Sequence, residues 1–417
     1  MLVRRALLPA LMTVATVVTA VEIASVPAGA AITTFTAVSP TGSVTVYAKG
    51  TGHGRGMSQY GARGAAGLGR TYRQILSFYY PHATLTTLRP SWIRVKISGH
   101  GTAPEVAAEG RLTVSGVKGY LPTTGVRRYR LVADAATGLT LQQLRSTAGA
   151  TWRDYRPGLR DGAWFYRGAH YVTRLYSPTG ASNYYYGTLR AYRVNPTGAG
   201  GGVRIVNTLT LDAYTAGVAA REMPAAWAHA ATQAQAVAAR TYGRYAIVHP
   251  STAQWDICDT NHCQVYKGHL VLDARGVLIG RDNPDAVRGD WNQVLYFQGL
   301  PIFAQFDGSN GGWIVDGNKP YLSAHADPYD TSRSARNPWT LYTMKPATPS
   351  VARYFGLAEL TGIAITQRDG HGTWGGRVLT AQVRGVTAAG QTVVVSTTGA
   401  GLSAAFGMHT SWLQVVA

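Results

Sequence analysis

Short stretches that alternate apolar and polar residues run through the middle of the chain, from residue 91 to residue 206. Trp92–Ile97 and Thr188–Val194 show the alternation most clearly, and turns rich in Gly, Pro and Asp separate the stretches. The pattern resumes in the last third of the chain, for example in Trp374–Val383 and Thr392–Ser396. Because successive side chains of a strand point to opposite faces, a period of two predicts β-strands with one buried face. The sequence therefore predicts a mostly antiparallel β body.

Two segments near the centre of the chain lack this alternation and are rich in helix formers instead. Leu211–Arg221 is helical by its pattern, and the Ala-, Gln- and Arg-rich segment from Ala225 to about Ile247 predicts a longer helix. Pro224 separates them, and we expect it in the first turn of the second helix, where its missing N–H costs nothing. The fold class predicted is α+β: a mostly antiparallel β body with a helical pair that carries Glu222-Met223-Pro224.

Other parts of the chain give weaker patterns. Thr71–Tyr80 predicts a short helix that Pro81 ends. The Gly-rich residues 51–69 are predicted to be irregular. Residues 321–337, which are rich in Asp, Pro and Ser, are predicted to form a loop over a binding cleft.

The first 30 residues have the features of an export signal. Arg4 and Arg5 precede an apolar run, and Ala28-Gly29-Ala30 supplies small residues for cleavage. An uncleaved membrane anchor is the alternative, although the run is short for a spanning helix. We therefore expect a secreted protein that is extracellular or associated with a cell wall. The predicted domains are a signal peptide over 1–30, an N-terminal segment over 31–87, and a main domain with a β-rich insertion over 88–417.

The composition is strongly basic, with 39 Lys and Arg against 20 Asp and Glu and a formal net charge of +19. Such a charge draws an exported protein to anionic surfaces, and the phosphates and carboxylates of bacterial wall polymers fit. A high-GC genome that favours Arg codons is a second explanation, since only six of the basic residues are Lys. Nucleic acid is not expected as a partner, because the sequence has no basic run with interleaved aromatic residues.

Glu222 is the first candidate for chemistry because it stands at the break between the two predicted helices. A carboxyl group near a helix C-terminus feels the negative end of the helix dipole, which favours the protonated form. Flanking Met223 and Trp227 would exclude water and raise the pKa of Glu222 in the same direction. A general acid that works near neutral pH needs such a shift. A solvated glutamate, or one paired with Arg221, is the structural alternative.

The residues around Glu222 resemble the core signature of the SpoIID/LytB family. Glu222-Met223-Pro224 is followed by an Ala- and Gln-rich helix that ends in Ala-Arg-Thr-Tyr, as in the family. The resemblance implies that Glu222 is the catalytic residue of a lytic transglycosylase and that Arg240 and Tyr242 bind substrate. Such an enzyme cleaves the MurNAc–GlcNAc bond of peptidoglycan glycan strands without water and leaves a 1,6-anhydroMurNAc end.

One carboxyl group suffices for this reaction, because the nucleophile is the 6-hydroxyl of the substrate itself. A hydrolase would usually need two carboxylates at a fixed separation, and no second acid stands in a matching motif. No cofactor is required. Some relatives are named amidase enhancers, so the alternative is a non-catalytic wall-binding protein with a wall amidase as its partner. A zinc-dependent amidase is disfavoured because the sequence has no H-E-x-x-H motif.

A second block, Gly52–Ala62, resembles the family's Gly-His-Gly-x-Gly-Met-Ser-Gln-Tyr-Gly-Ala motif. In sporulation members this motif follows the Glu-Met-Pro helix, whereas here it precedes the helix by about 160 positions. We expect the block to join the same site from the other end of the chain, as a permuted element would. A purely structural role for the histidine is the alternative. The candidate substrate-binding residues of the block are His53, Ser58, Gln59 and Tyr60.

Two further blocks resemble segments of the family. Asp256–Gly268 is similar to its Asp-x-x-Asp-Thr…Cys-Gln-x-Tyr-x-Gly segment, and Gln305–Gly312 is similar to its Ser/Asn-Gly-Gly segment, which lies at the active cleft of known members. The resemblance implies that polar side chains of both blocks contact the sugar. Trp313 is a candidate to stack on a pyranose ring, with a core position as the alternative. The candidate substrate-binding residues here are Gln264, Tyr266, Ser309 and Asn310.

Cys258 and Cys263 are the only cysteines, and they stand five residues apart. In an oxidising compartment such a pair is first a disulfide candidate. Some members of the family bind zinc near this position, and Cys258, His262 and Cys263 would supply three suitable ligands, with His249 as a fourth at an unpersuasive spacing. We expect the disulfide and keep zinc as the alternative.

Overall fold

The structure, a computed structural model, describes residues 34–134, 138–194 and 201–416. The predicted signal peptide lies outside the described residues. The described residues form two compact units: one within Ala48–Tyr342, and a smaller one that combines residues 34–47 with residues 343–416. Within the described ranges, no helix is long and apolar enough to span a membrane.

Six α-helices lie in the described ranges, and the first four belong to the larger unit. Several begin with a Ser or Thr whose side chain accepts a hydrogen bond from a backbone N–H of the first turn. Such caps satisfy donors that have no partner inside the helix. The helices are α1 (Gln59–Gly67), α2 (Tyr72–Tyr79), α3 (Leu211–Glu222), α4 (His229–Val248), α5 (Thr348–Tyr354) and α6 (Gly399–Ala405).

Short strands make up most of the remaining regular structure. In chain order they are β1 (Thr36–Ala37), β2 (Thr45–Ala48), β3 (Met57–Ser58), β4 (Thr84–Thr87), β5 (Trp92–Ile97), β6 (Glu105–Ala107), β7 (Thr113–Val114), β8 (Val126–Asp134), β9 (Gly138–Arg145), β10 (Trp152–Leu159), β11 (Trp164–Tyr166), β12 (Thr173–Tyr176), β13 (Ser182–Tyr185), β14 (Thr188–Arg193), β15 (Val203–Thr210), β16 (Ile257–Cys258), β17 (Leu270–Leu272), β18 (Leu278–Arg281), β19 (Gln293–Phe297), β20 (Leu300–Pro301), β21 (Phe306–Asp307), β22 (Trp313–Ile314), β23 (His325–Ala326), β24 (Tyr342–Met344), β25 (Glu359–Arg368), β26 (Val378–Val386), β27 (Thr392–Thr398) and β28 (Leu413–Val416).

An eight-stranded and a six-stranded sheet form the β body of the larger unit. Their orders are β10-β9-β8-β6-β12-β13-β17-β18 and β16-β5-β15-β14-β11-β7, and every pairing in them is antiparallel except that of β16 with β5. Buried apolar side chains of β5 and β15 share one core with Leu211, Tyr214 and Val218 of α3. The α+β class predicted from the sequence is therefore confirmed.

Smaller sheets complete the architecture. In the larger unit β20-β19-β4 is three-stranded, and β21-β3 and β22-β23 are pairs. Strands from the two ends of the chain form the sheets β1-β25-β26-β27 and β24-β2-β28. The strand predicted at Trp92–Ile97 has those bounds. The strand predicted from Trp374 begins only at Val378, because Trp374 lies in a 3-10 turn with a φ of 61°.

A second buried cluster joins α4 to the N-terminal block, Gly52–Ala62, and to α2. It contains Met57 of β3, Ala65 of α1, Leu76 of α2, and Ala234 and Val237 of α4. α1 and α2 therefore pack on the helix that follows Glu-Met-Pro, although more than 150 positions separate them in the sequence.

The prediction that residues 51–69 are irregular is wrong, because α1 lies within them. Its glycines disfavour a helix by about 1 kcal/mol each relative to Ala. Packing requires small residues at these positions. A Cβ on Gly64 would lie 2.2 Å from the carbonyl oxygen of Tyr329, and a Cβ on Gly61 would lie 1.9 Å from the hydroxyl oxygen of Tyr79. Close tertiary contacts thus override the local preference.

The second helix after the Glu-Met-Pro motif also begins later than predicted. α4 starts at His229, so Pro224 does not stand in its first turn. The N–H of Trp227 donates to the carbonyl of Pro224 at 3.0 Å and closes a turn. Trp227 then packs against Tyr60, with 5.0 Å between ring centroids. This contact with the N-terminal block holds the turn, and no local pattern reveals it.

Candidate active site

Glu222 is the last residue of α3, and it lines a cleft. Gln59 Nε2 donates a hydrogen bond to Glu222 Oε2 at 3.2 Å, and a backbone hydrogen bond reaches the carboxylate from Val265. Burial raises the pKa of Glu222, and the two hydrogen bonds offset only part of this rise. The negative end of the α3 dipole acts in the same direction as burial. Glu222 therefore has the environment of a proton donor.

The cleft beside Glu222 has a volume of about 430 Å³. Its walls combine aromatic and polar side chains, and the rings of Tyr242 and Phe303 lie 5.0 Å apart between centroids. Such a combination is typical of sites that bind a ligand through apolar faces and orient it with a few polar groups. The lining residues are His53, Glu222, Tyr242, Asn261, His262, Cys263, Val265, Phe303, Gln305, Phe306 and Asp307.

The N-terminal block reaches this site through His53 and Gln59. His53 lines the cleft, and its Nδ1 lies 3.4 Å from Asp307 Oδ2. The N–H of Gly54 donates to the same carboxylate oxygen. Gly52 has a φ of 113°, and a Cβ there would lie 2.5 Å from the Cβ of Asp307. The block that stands about 160 positions from Glu222 in the sequence thus meets Glu222 in space.

Asp307 is a cleft residue that the sequence analysis missed. Its side chain is only 7% exposed, and the parallel pairing of β21 with β3 places it next to the N-terminal block. Asp307 stands in no catalytic motif of the family. Its only sequence signal is that it is the one acidic residue in Gln305–Gly312. Glu222 and Asp307 are the two carboxyl groups among the residues described as lining the cleft.

Three predicted substrate-binding residues are fully buried and do not line the cleft: Ser58, Ser309 and Asn310. Ser58 donates to Asp330, Ser309 Oγ donates to Asp330 Oδ2 at 3.0 Å, and Asn310 Nδ2 donates to Asp327 Oδ2 at 2.7 Å. Burial raises the pKa of Asp330 to about 6. All three side chains therefore bond to buried aspartates and face away from the cleft.

The two aspartates of this network correct the expectation for residues 321–337. Asp327 and Asp330 are both buried, and Asp327 also accepts a hydrogen bond from the hydroxyl of Tyr79 on α2 at 2.8 Å. These two buried side chains anchor the segment, and none of residues 321–337 lines the cleft. Ser58, Tyr79, Ser309 and Asn310 donate to the two carboxylates, as buried polar groups require.

Arg240 is also fully buried, so it does not reach the cleft. Its Nε lies 2.6 Å from Asp212 Oδ1, and its Nη2 lies 3.2 Å from Asp290 Oδ1. Burial raises the pKa of Asp290 to about 6 in spite of the neighbouring guanidinium. Arg240 thus ties α4 to the first turn of α3, the helix that presents Glu222.

Gln264 and Tyr266 are buried on either side of Val265, whose backbone contacts Glu222. The hydroxyl of Tyr214 donates to Gln264 Oε1 at 2.8 Å, and the hydroxyl of Tyr266 donates to Asn207 Oδ1 at 2.9 Å. These bonds fix the backbone that hydrogen-bonds the carboxylate.

The remaining candidates are more exposed. Tyr242 lines the cleft. Tyr60 does not line it and packs on Trp227, over which the guanidinium of Arg63 also lies at 4.7 Å from the ring centroid. Trp313 is partly buried in β22, outside the cleft lining.

Cys258 and Cys263 form a disulfide in the structure. Zinc binds cysteine as the thiolate, which bonded sulfurs do not offer. In the described ranges, no group of three or more His, Cys, Asp or Glu side chains is arranged to hold a metal ion. His262 lines the cleft, and His249 stacks on Tyr245 with 4.2 Å between ring centroids. The residues as placed do not fit a zinc site.

Comparison with known proteins assigns the family of this region. Residues 199–297 match the model of the SpoIID family, described as "Stage II sporulation protein". The match covers α3, α4 and Glu222, and the SpoIID/LytB recognition is therefore confirmed: the chain carries a SpoIID region.

Two curated relatives from Bacillus subtilis (strain 168) have similar sequences. The amidase enhancer is 55% identical over 47 residues, which are 11% of this chain and 7% of that protein. Stage II sporulation protein D is 27% identical over 201 residues, 45% of this chain and 57% of that protein. The protein of the same name from Bacillus amyloliquefaciens is 28% identical over 194 residues, 43% of this chain and 55% of that protein. The chain thus spans little more than half of the sporulation proteins and a small part of the amidase enhancer.

Proposed function

We propose that this protein is an exported peptidoglycan lytic transglycosylase with Glu222 as its general acid and base. The observation that carries the proposal is the environment of Glu222. It is a carboxyl group with a raised pKa at the end of a helix, in a cleft assembled from separate sequence blocks. The SpoIID match and the names of the relatives support a role at the cell wall.

The reaction needs two proton transfers, one from Glu222 and one to it. Protonated Glu222 donates its proton to the oxygen of the MurNAc–GlcNAc bond as that bond breaks. The resulting carboxylate then takes the proton of the MurNAc 6-hydroxyl while that oxygen bonds to C1. The products are a GlcNAc-terminated fragment and a 1,6-anhydroMurNAc end, and Glu222 regains its starting state. A raised pKa favours the first step because it keeps the group protonated near neutral pH.

Gln59 and Val265 have a supporting part in this mechanism. Both hydrogen-bond Glu222, and both favour its carboxylate form over the acid. They therefore stabilise the carboxylate that appears after the first proton transfer and fix the direction of the side chain. The buried bonds of Gln264 and Tyr266 hold Val265 in place for this purpose.

Asp307 gives the cleft a second carboxyl group, so hydrolysis is the competing chemistry. Hydrolases that use two carboxylates employ the second one as a base or a nucleophile. We assign Asp307 a different role, because the N–H of Gly54 donates to it from the N-terminal block and His53 Nδ1 lies 3.4 Å from the same oxygen. A carboxylate fixed in this way would stabilise positive charge that develops at C1. The chemical form of the new end distinguishes the two reactions.

Export and wall association belong to the same proposal. The basic composition fits an anionic wall, and residues 1–30 have the pattern of a signal peptide. We propose glycan strands as the principal partner and require no cofactor.

A non-catalytic amidase enhancer is the second candidate function. The short stretch that is 55% identical to the amidase enhancer favours it. In that case the cleft would bind glycan without cleaving it, and a wall amidase would be the partner that acts.

Release of soluble fragments from purified peptidoglycan tests the proposal against this alternative. The wild-type protein, Glu222→Gln and the control Glu359→Gln, whose side chain is exposed in the smaller unit, are compared with and without a wall amidase. A transglycosylase releases fragments alone, and only Glu222→Gln loses the activity. An enhancer releases nothing alone, and all three proteins stimulate the amidase equally.

A further inference from the structure

A second pocket of the larger unit lies apart from the cleft and is unused by the proposed mechanism. It has a volume of about 440 Å³ and lies between the β body and the first half of α3, where Asp212, Ala213 and Ala216 line it. None of its lining residues lines the cleft around Glu222. The pocket is therefore a separate candidate binding site.

Two tryptophans border this pocket and expose much of their indole surface. Trp92 is 58% exposed and Trp291 is 54% exposed, and both line the pocket together with Tyr166 and Tyr186. Large aromatic side chains normally bury most of their surface. Exposed indoles that border one concavity indicate a surface that a ligand covers.

Neighbouring side chains fix the orientation of the polar groups that line the pocket. His269 lines the pocket, and its Nδ1 lies 2.8 Å from the carboxylate of Asp282. Asp212 also lines it, and Arg240 holds that carboxylate at 2.6 Å. Groups fixed by such contacts lose little freedom when a ligand binds, which is the arrangement that specific sites require.

This combination selects the chemistry of the ligand. Arg240 lies against Asp212, and His269 Nδ1 lies 2.8 Å from Asp282 Oδ2. The carboxylates that line the pocket therefore already have partners within the protein, and their negative charge disfavours an anion. It offers aromatic faces for an apolar surface and oriented acceptors for hydroxyl or amide donors. A pyranose ring presents a C–H face and a rim of hydroxyl groups, and it matches both features.

We propose that the pocket bordered by Trp92 and Trp291 is a second, non-catalytic saccharide site that binds uncharged pyranose rings of a glycan strand. The nature of the glycan rests on the proposed function. Ala216 and Glu222 are six residues apart on α3, so they are about 9 Å apart along the axis and about 120° apart around it. The two sites therefore open on different sides of the helix, and the second site tethers the protein to the wall independently of cleavage.

Binding of chitohexaose to the full chain tests this inference. Glu222→Gln serves as the parent so that no turnover occurs, and calorimetry counts the classes of binding site. We expect two classes in the parent. Trp92→Ala/Trp291→Ala should weaken one of them by at least about tenfold. His53→Ala in the cleft should weaken the other, and Tyr120→Ala, an aromatic residue 66% exposed outside both sites, should change neither.

Two results would overturn the inference. The first is a parent that does not bind chitohexaose, or that binds it at a single class of site which His53→Ala abolishes. The other is a double tryptophan variant that binds like Tyr120→Ala. An unchanged unfolding temperature shows that the exposed indoles were removed without loss of folding. Because the parent is inactive, these outcomes are independent of whether the wild-type protein cleaves glycan.

Discussion

Gln59 tunes the protonation of Glu222 in this account, so Gln59→Met should change the pH dependence of cleavage. Its Nε2 donates to Glu222 Oε2 at 3.2 Å and lowers the pKa of that carboxyl group. A hydrogen bond to a charged group contributes about 1.5–3 kcal/mol. We take the lower end because Gln59 is partly exposed. About 1.4 kcal/mol corresponds to a tenfold change in the ratio of acid to carboxylate at a given pH.

Methionine has a similar length but no donor, so the carboxylate loses this stabilisation and the pKa of Glu222 rises further. The acid form then persists to higher pH, and the alkaline limb of kcat/KM should move to higher pH. Product release is measured from about pH 5 to about pH 9. Gln233→Met is the matched control, since Gln233 Nε2 donates at 3.0 Å to the carbonyl of Arg288, away from Glu222. An alkaline limb that stays in place or moves to lower pH would refute the reasoning.

Three further predictions concern stability. Replacing both Cys258 and Cys263 by Ser should lower the free energy of unfolding by about 2 kcal/mol, because the disulfide closes only a short loop. Urea titration measures this loss. Arg240→Met should cost about 3–5 kcal/mol because it leaves buried carboxylates unpaired. Arg275→Met, which removes an exposed pair, should cost much less, and equal losses would contradict this. The pKa of Asp330 is raised to about 6 in the folded state, above its unfolded value near 3.9, so its contribution favours folding below about pH 4 and is lost as the pH rises through 6. Asp330→Asn should therefore flatten the fall in unfolding temperature between about pH 4 and about pH 7, and an unchanged slope would count against the shift.

The sequence places Glu222 at a break between two helices, and in the structure it lies at the end of α3 and lines a cleft. Its catalytic role stays a prediction. The displaced N-terminal block was expected to join the same site, and the hydrogen bond from Gln59 shows that it does. The residue types of the motif therefore predicted its position at the site, although its order along the chain differs from that in the sporulation members.

The exposure of individual polar residues could not be predicted in the same way. Ser309 and Asn310 stand next to Asp307 in one Gly-rich block, yet only Asp307 lines the cleft. The parallel pairing of β21 with β3 sets Asp307 beside the N-terminal block, whereas the side chains of Ser309 and Asn310 donate to buried aspartates. That pairing joins segments about 250 positions apart, and no local pattern encodes it. The burial of Arg240 has a related origin, since its partners Asp212 and Asp290 come from distant segments.

Mass spectrometry of the ends released from amidase-stripped peptidoglycan tests the central claim most directly. The account predicts 1,6-anhydroMurNAc ends from the wild-type protein and none from Glu222→Gln, with Asp307→Asn retaining the anhydro product at a reduced rate. Reducing ends that depend on both Glu222 and Asp307 would show hydrolysis by two carboxyl groups and would contradict the account. Anhydro ends from Glu222→Gln at the wild-type rate would remove Glu222 from the chemistry altogether.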